Sequence, residues 1–100
     1  GMPEPLFWDT LQRLSFVYKR RGEYAQALPL WEKAAGQGLL YAHEELAKYY
    51  EHVQHDPAQA LVWTQAALDR LDSAVCSRQE RQVWQAELIH RQERLVHKST

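Results

Sequence analysis

Apolar residues recur at every third or fourth position along this chain, in five runs separated by polar or glycine-containing breaks. In the first run Phe7, Leu11, Leu14 and Tyr18 fall at i, i+4, i+7 and i+11, which puts them on one face of a helix. Tyr24, Ala27, Leu28, Trp31 and Ala34 repeat the spacing. A third run, from about Leu39 to Val53, turns Ala42, Leu46, Tyr49 and Tyr50 inward or partly so. Ala60, Trp63, Ala67, Leu68 and Leu71 make a fourth, and Trp84, Leu88 and Leu95 mark a fifth, longer one.

The breaks carry helix punctuation. Gly22 ends the first run, because glycine accepts the left-handed geometry past a helix C-terminus. Lys19, Arg20 and Arg21 occupy the last turn before it, where cations meet the negative end of the macrodipole. Gly36 and Gly38 close the second run. Asp56 is a good N-cap and Pro57 suits the first position of the fourth helix. Ser77-Arg78-Gln79-Glu80 reads as a capping box opening the fifth. Pro29 conflicts with this scheme: inside a helix it removes a backbone bond and costs about 3 kcal/mol. Either the second helix starts late enough to hold Pro29 in its first turn, or it kinks there.

Two of these segments say the same thing twice. Ala25-Gln26-Ala27-Leu28 returns 33 residues later as Ala58-Gln59-Ala60-Leu61. Upstream, Leu14-Ser15-Phe16-Val17-Tyr18 matches Leu46-Ala47-Lys48-Tyr49-Tyr50 at a spacing of 32. The one-residue difference is expected in the intervening turn, where insertions are tolerated. Self-similarity at this period points to stacked helical hairpins.

Composition narrows the class. A chain of 100 residues with 45% hydrophobic and 25% charged content can build one globular domain, set here at residues 6–98. Disorder is disfavoured, because there is enough apolar surface to offset ordering entropy. A formal net charge of -1 gives no global field toward nucleic acid or an anionic membrane. The charge is uneven: residues 1–36 carry +1, residues 37–76 carry -4 and residues 77–100 carry +2. Solvated helix faces account for that spread. Cys76 is the lone cysteine, so no intramolecular disulfide can form and a reducing compartment is favoured. No run is long and apolar enough to cross a membrane and no signal-peptide pattern opens the chain; the cytoplasm is the expected location. Gly1-Met2 reads as a protease scar before a start codon, and residues 1–5 are set aside as scar and linker.

Tyr18, Gly22-Glu23-Tyr24, Ala27, Trp31, Lys33 and Ala34 resemble a tetratricopeptide repeat. Trp31-Glu32-Lys33-Ala34-Ala35-Gly36-Gln37-Gly38, followed by Ala42 and Leu46-Ala47, is similar to the Sel1-like variant. The second unit departs from the pattern, with His55-Asp56-Pro57 where the turn glycine belongs. The resemblance covers about residues 8–71 and implies an all-α, right-handed stack. Its two antiparallel hairpins would span about 8–38 and 39–72, with a capping helix over about 77–97. A narrower resemblance lies in Leu46-Ala47-Lys48-Tyr49-Tyr50-Glu51-His52, Asp56, Ala60-Leu61 and Glu87-Leu88-Ile89-His90-Arg91-Gln92-Glu93-Arg94-Leu95. These are similar to the C-terminal helical module of bacterial RNase H-like (YprB-type) exonucleases, in which a metal-dependent nuclease domain precedes the repeats.

Catalytic chemistry is not legible in these residues. His43-Glu44 begins like a zinc-protease helix, but the second histidine position holds Ala47. His52, His55 and Asp56 straddle a helix end and read as an exposed polar turn rather than a metal site. His90 reads as a packed or rim histidine, and nothing places a base beside Cys76. Glu44, Glu45 and Glu51 lie on one helix, whereas a nuclease metal site needs carboxylates converging from separate elements. No catalytic residue, metal ligand or cofactor is assigned.

Binding is the better class. In tetratricopeptide-like hairpins the first helix of each pair lines a concave face, and the matching positions include Gln12, Phe16, Lys19, Arg20, Tyr41, Glu44, Lys48 and Glu51. Phe16 stands off the core stripe and could anchor a partner or simply meet the neighbouring helix. The expected partner is a protein or peptide. Nucleic acid, reached through a parent protein, is the alternative, carried by Arg20, Arg21, Arg78, Arg81, Arg91 and Arg94; Glu80, Glu87 and Glu93 interrupt that patch. Self-association through aromatics such as Trp8 is a third reading, with a monomer or weak homodimer expected.

Overall fold

The computed structural model describes residues 4–74 and 76–99; Gly1 and Met2, the expected scar, lie outside the described residues, whereas Glu4 and Pro5, expected as linker, open the first helix. Regular structure among them is helical throughout: α1 (Glu4–Arg20), α2 (Tyr24–Gly36), α3 (Leu40–Lys48) continued by a π-helical turn (Tyr49–Val53), α4 (Pro57–Arg70) with a 3-10 turn (Leu71–Ser73), and α5 (Arg78–Ser99). Each helix packs against the next. Successive helices run antiparallel: the Lys33 ammonium lies over the Phe7 ring at the α1–α2 contact, Tyr24 meets Tyr49, His43 meets Trp63, and Gln92 donates to Gln65. The odd-numbered helices α1, α3 and α5 therefore point the same way, and their C-termini share one end of a slab measuring 47 × 34 × 18 Å.

The turns follow the punctuation. Gly22 has φ +72°, with Glu23 N–H donating to Tyr18 O at 2.9 Å and Gly22 N–H to Lys19 O at 2.9 Å. Gly38 repeats that closure after α2, with φ +78°. Asp56 Oδ1 accepts from Gln59 N at 3.1 Å, and Ser77 Oγ accepts from Glu80 N at 3.1 Å. α2 starts at Tyr24 and continues past Pro29 to Gly36, so the late-start alternative fails. The missing N–H leaves the Ala25 carbonyl without its helical donor. Burial of Ala27, Trp31, Ala34 and Ala35 holds the helix regardless.

The one-residue mismatch between the repeats has a definite place. His55 takes φ +53°, the left-handed role that Gly22 plays 33 residues earlier. The extra residue falls before it, in the Tyr49–Val53 turn, where Gln54 N–H donates to Tyr49 O at 3.1 Å and Asp56 N–H to Tyr50 O at 2.7 Å. A π-helical turn is the form a helix takes when it absorbs one residue without breaking.

Two buried clusters hold the slab. Leu11, Ala27, Trp31, Ala34, Ala35, Ala42 and Leu46 join α1, α2 and α3, and small residues there let Trp31 sit fully buried between helices. Leu40, Ala67, Leu71 and Leu88 join α3, α4 and α5. One expected core residue is displaced: Leu14 is 43% exposed, while Ser15 beside it is fully buried and donates Oγ to Gln12 O at 2.6 Å. α1 meets α2 along Phe7, Leu11, Ser15 and Tyr18, because a hydroxyl bonded to its own helix tolerates burial and a small side chain permits close approach.

Candidate functional site

The shared direction of α1, α3 and α5 brings the sequence-derived binding residues onto neighbouring helices. Phe16 and Tyr41, both half-buried, meet with ring centroids 6.0 Å apart. The Lys19 Nζ lies 5.7 Å above the Phe16 ring and donates to Glu45 Oε2 at 2.6 Å, tying α1 to α3. Lys48 reaches Glu44 at 3.2 Å and Glu45 at 3.7 Å along its own helix. Burial pushes the Tyr41 hydroxyl up to about 12, and its oxygen has no hydrogen-bond partner among the described residues. Gln12 is half-buried and Arg20 is exposed at the helix end.

Beside this aromatic pair, Lys19, Tyr24, Trp31, Glu45 and Tyr49 line a cavity of about 170 Å³. The Trp31 indole Nε1 is buried without a partner among the described residues.

Glu51 is a correction to the expected groove. Its side chain is 1% exposed and turns to α5 instead. Arg94 grips it as a fork, Nη2 to Oε1 at 2.8 Å and Nε to Oε2 at 3.1 Å. Lys98 Nζ donates to Oε2 at 2.7 Å and Arg91 Nη1 to Oε1 at 3.3 Å. Burial alone pushes this carboxyl up. The hydrogen bonds from Arg94 and Lys98, with the charges of Arg94 and His52, outweigh burial and hold it at about 2.

The same contacts revise the arginine set. Arg91 and Arg94 are engaged by Glu51. Arg20 and Arg21 are exposed and carry no ion pair among the described residues. These four share the end where α1, α3 and α5 terminate, whereas Arg78 and Arg81 open α5 at the opposite end. The six therefore do not form one continuous track.

Histidine reads as structural. His43 is 3% exposed, with Nδ1 3.0 Å from Leu39 O and its ring edge-on to Trp63. Burial lowers its pKa, against the Leu39 contact that raises it, and Arg70 lowers it further. His90 is exposed rather than packed. No group of three or more metal-binding side chains converges among the described residues, and no helix there is long and apolar enough to cross a membrane.

Sequence reasoning did not pair Glu45 with Lys19 or Lys98 with Glu51. Pairs separated by 26 and 47 positions leave no local trace. The mismatch between the spacings of 32 and 33 was the one available signal for the π-helical turn that carries Glu51.

No family model matches the chain, and no solved structure matches it. Uncharacterized protein YprB of Bacillus subtilis (strain 168) is 40% identical over 67 residues, covering 63% of this chain and 16% of that protein. The chain thus spans about a sixth of the length of the curated relative it matches.

Proposed function

We propose that this chain is a non-catalytic protein-interaction module of the tetratricopeptide-repeat type, part of a larger cytoplasmic bacterial protein. Two hairpins, α1–α2 and α3–α4, make the repeats, and α5 caps the second. The observation that carries this reading is the Phe16–Tyr41 pair, which leaves aromatic surface half-exposed between two helices whose cores are already filled by Trp31 and Leu46. The fixed Lys19–Glu45 pair beside it supplies polar definition. Half-exposed aromatics framed by charge are the usual anchors of a protein interface. Phe16→Ala should abolish capture of the partner from bacterial lysate while leaving the melting temperature unchanged. An unchanged set of captured proteins sinks the reading.

A second reading, an accessory module of an RNase H-like nuclease that helps hold nucleic acid, is supported by exposed Arg20 and Arg21 at the end where the odd-numbered helices terminate. Binding to single- and double-stranded probes should then weaken steeply with salt. Undetectable or salt-independent binding counts against it.

A further inference from the structure

One stripe runs the length of α5: Glu80, Trp84, Glu87, Arg91, Arg94 and Lys98 alternate steps of four and three residues, with Glu44 of α3 beside its start and Glu51 of the π-helical turn beside its end. Its C-terminal half is complete, because Arg91, Arg94 and Lys98 close around Glu51 of α3. The N-terminal half is not. There Glu44 of α3 lines a groove together with Glu80 and Glu87, so three carboxylates share it. Glu44 has Lys48 for a partner, but Glu80 and Glu87 have no ion pair among the described residues. The floor is apolar: Val83 is 55% exposed and Trp84 half-buried. Arg78 and Arg81 do not line the groove.

We infer that the groove between α3 and α5 docks a basic protein segment. A lysine or arginine lays its alkyl stem across Val83 and Trp84 and sets its charged head among Glu44, Glu80 and Glu87. Charge complementarity selects this occupant, as Glu51 already shows on the same stripe with the signs reversed. The apolar floor favours an alkyl stem over a bare metal cation, which needs converging oxygens. Such a cation over the Trp84 ring gains further attraction. The inference rests on reading this side of the slab as a protein-binding one, but not on Phe16.

The test uses a fluorescein-labelled peptide of alternating arginine and leucine, with a counterpart in which glutamate replaces arginine, read by anisotropy against the whole chain. The arginine peptide should bind and the glutamate peptide should not. The Glu80→Gln/Glu87→Gln double variant should weaken binding about tenfold, the loss of two rim ion pairs. Val83→Ser should weaken it several-fold. Both variants alter exposed side chains, and an unchanged melting temperature checks the fold. Phe16→Ala should bind the peptide as the parent chain does, which separates this inference from the aromatic-pair reading: loss of lysate capture by Phe16→Ala tests only the latter. Equal affinity of the parent chain and the double variant overturns the inference. So does equal binding of the two peptides, or a concentration-dependent dimer that the double variant abolishes, which would make a second copy the occupant.

Discussion

Replacing Glu51 by glutamine should cost about 2–3 kcal/mol at neutral pH. The carboxyl sits at about 2 in the fold against 4.5 when free, a difference equivalent to about 3 kcal/mol of preferential stabilisation of its charged form. Removing one partner of a buried ionic cluster costs about 3–5 kcal/mol when the remaining charges stay buried. Here the lower end applies, because the Arg94 and Lys98 side chains are 38% and 47% exposed and can recruit water. Against a total stability of about 5–15 kcal/mol, that loss is readily measured. Urea unfolding at neutral pH should show a lower midpoint with an unchanged slope. The pH dependence follows from the sign. The unfolded chain takes up the proton first as acid is added, so the contribution is whole above about pH 4.5 and is lost progressively as the pH falls through about 2. The gap between parent chain and Glu51→Gln should narrow over that window. A cost below about 0.5 kcal/mol at neutral pH, within the range of ordinary surface changes, would refute the account. A gap that stays constant through the acid window would refute it as well.

Trp31→Ala should cost about 3–5 kcal/mol by thermal or urea unfolding, since the fully buried ring packs among alanines that cannot close the space. Its Nε1–H has no partner among the described residues, so the loss is one of packing rather than of a hydrogen bond. His55→Gly should be neutral or stabilising by up to about 1 kcal/mol, because φ +53° strains an L-residue more than the added unfolded-state entropy costs. Leu14→Gln should change stability by less than about 0.5 kcal/mol, whereas Leu11→Ala should cost about 2 kcal/mol or more, if α1 docks along Leu11 and Ser15. The reverse ranking in a urea series would restore the simpler stripe.

Helix number and order and several helix ends were legible because each depends on neighbours in sequence, whereas the starts of α1 at Glu4 and of α2 at Tyr24 were not. Asp56 and Ser77 cap within three residues, and Gly22 and Gly38 close turns by their own backbone freedom. The face that α1 buries was less legible, since Leu14 and Ser15 sit side by side and hydrophobicity favours the wrong one. What decides is how closely α2 can approach, a property of two helices rather than one. Pro29 misled for a related reason: its local penalty is real, but the burial of Trp31 and the alanines around it is larger. Phe16, Lys19 and Tyr41 were each among the candidate positions, but their contact was not legible, since at the spacing of 32 Phe16 corresponds to Lys48 and Tyr41 to Asp9.

Glu51 marks where that repeat logic stops. Read at the strict period it belongs beside Lys48, pointing to the same groove. The added residue that separates the two spacings widens the last turn of α3, and the carboxylate emerges facing α5. An insertion that looks like slack in the sequence thereby supplies the one acidic group on which three cations of the last helix converge. α5 buries Leu88 and Leu95 fully and packs along α4. The ionic cluster anchors its C-terminal half, while its N-terminal half keeps Val83, Glu80 and Glu87 at the surface. α5 is therefore fastened by ion pairs along one half and carries an acidic, partly apolar surface along the other. Loss of the Glu51 cluster should loosen the far half of α5 without altering the charge of the groove at its start.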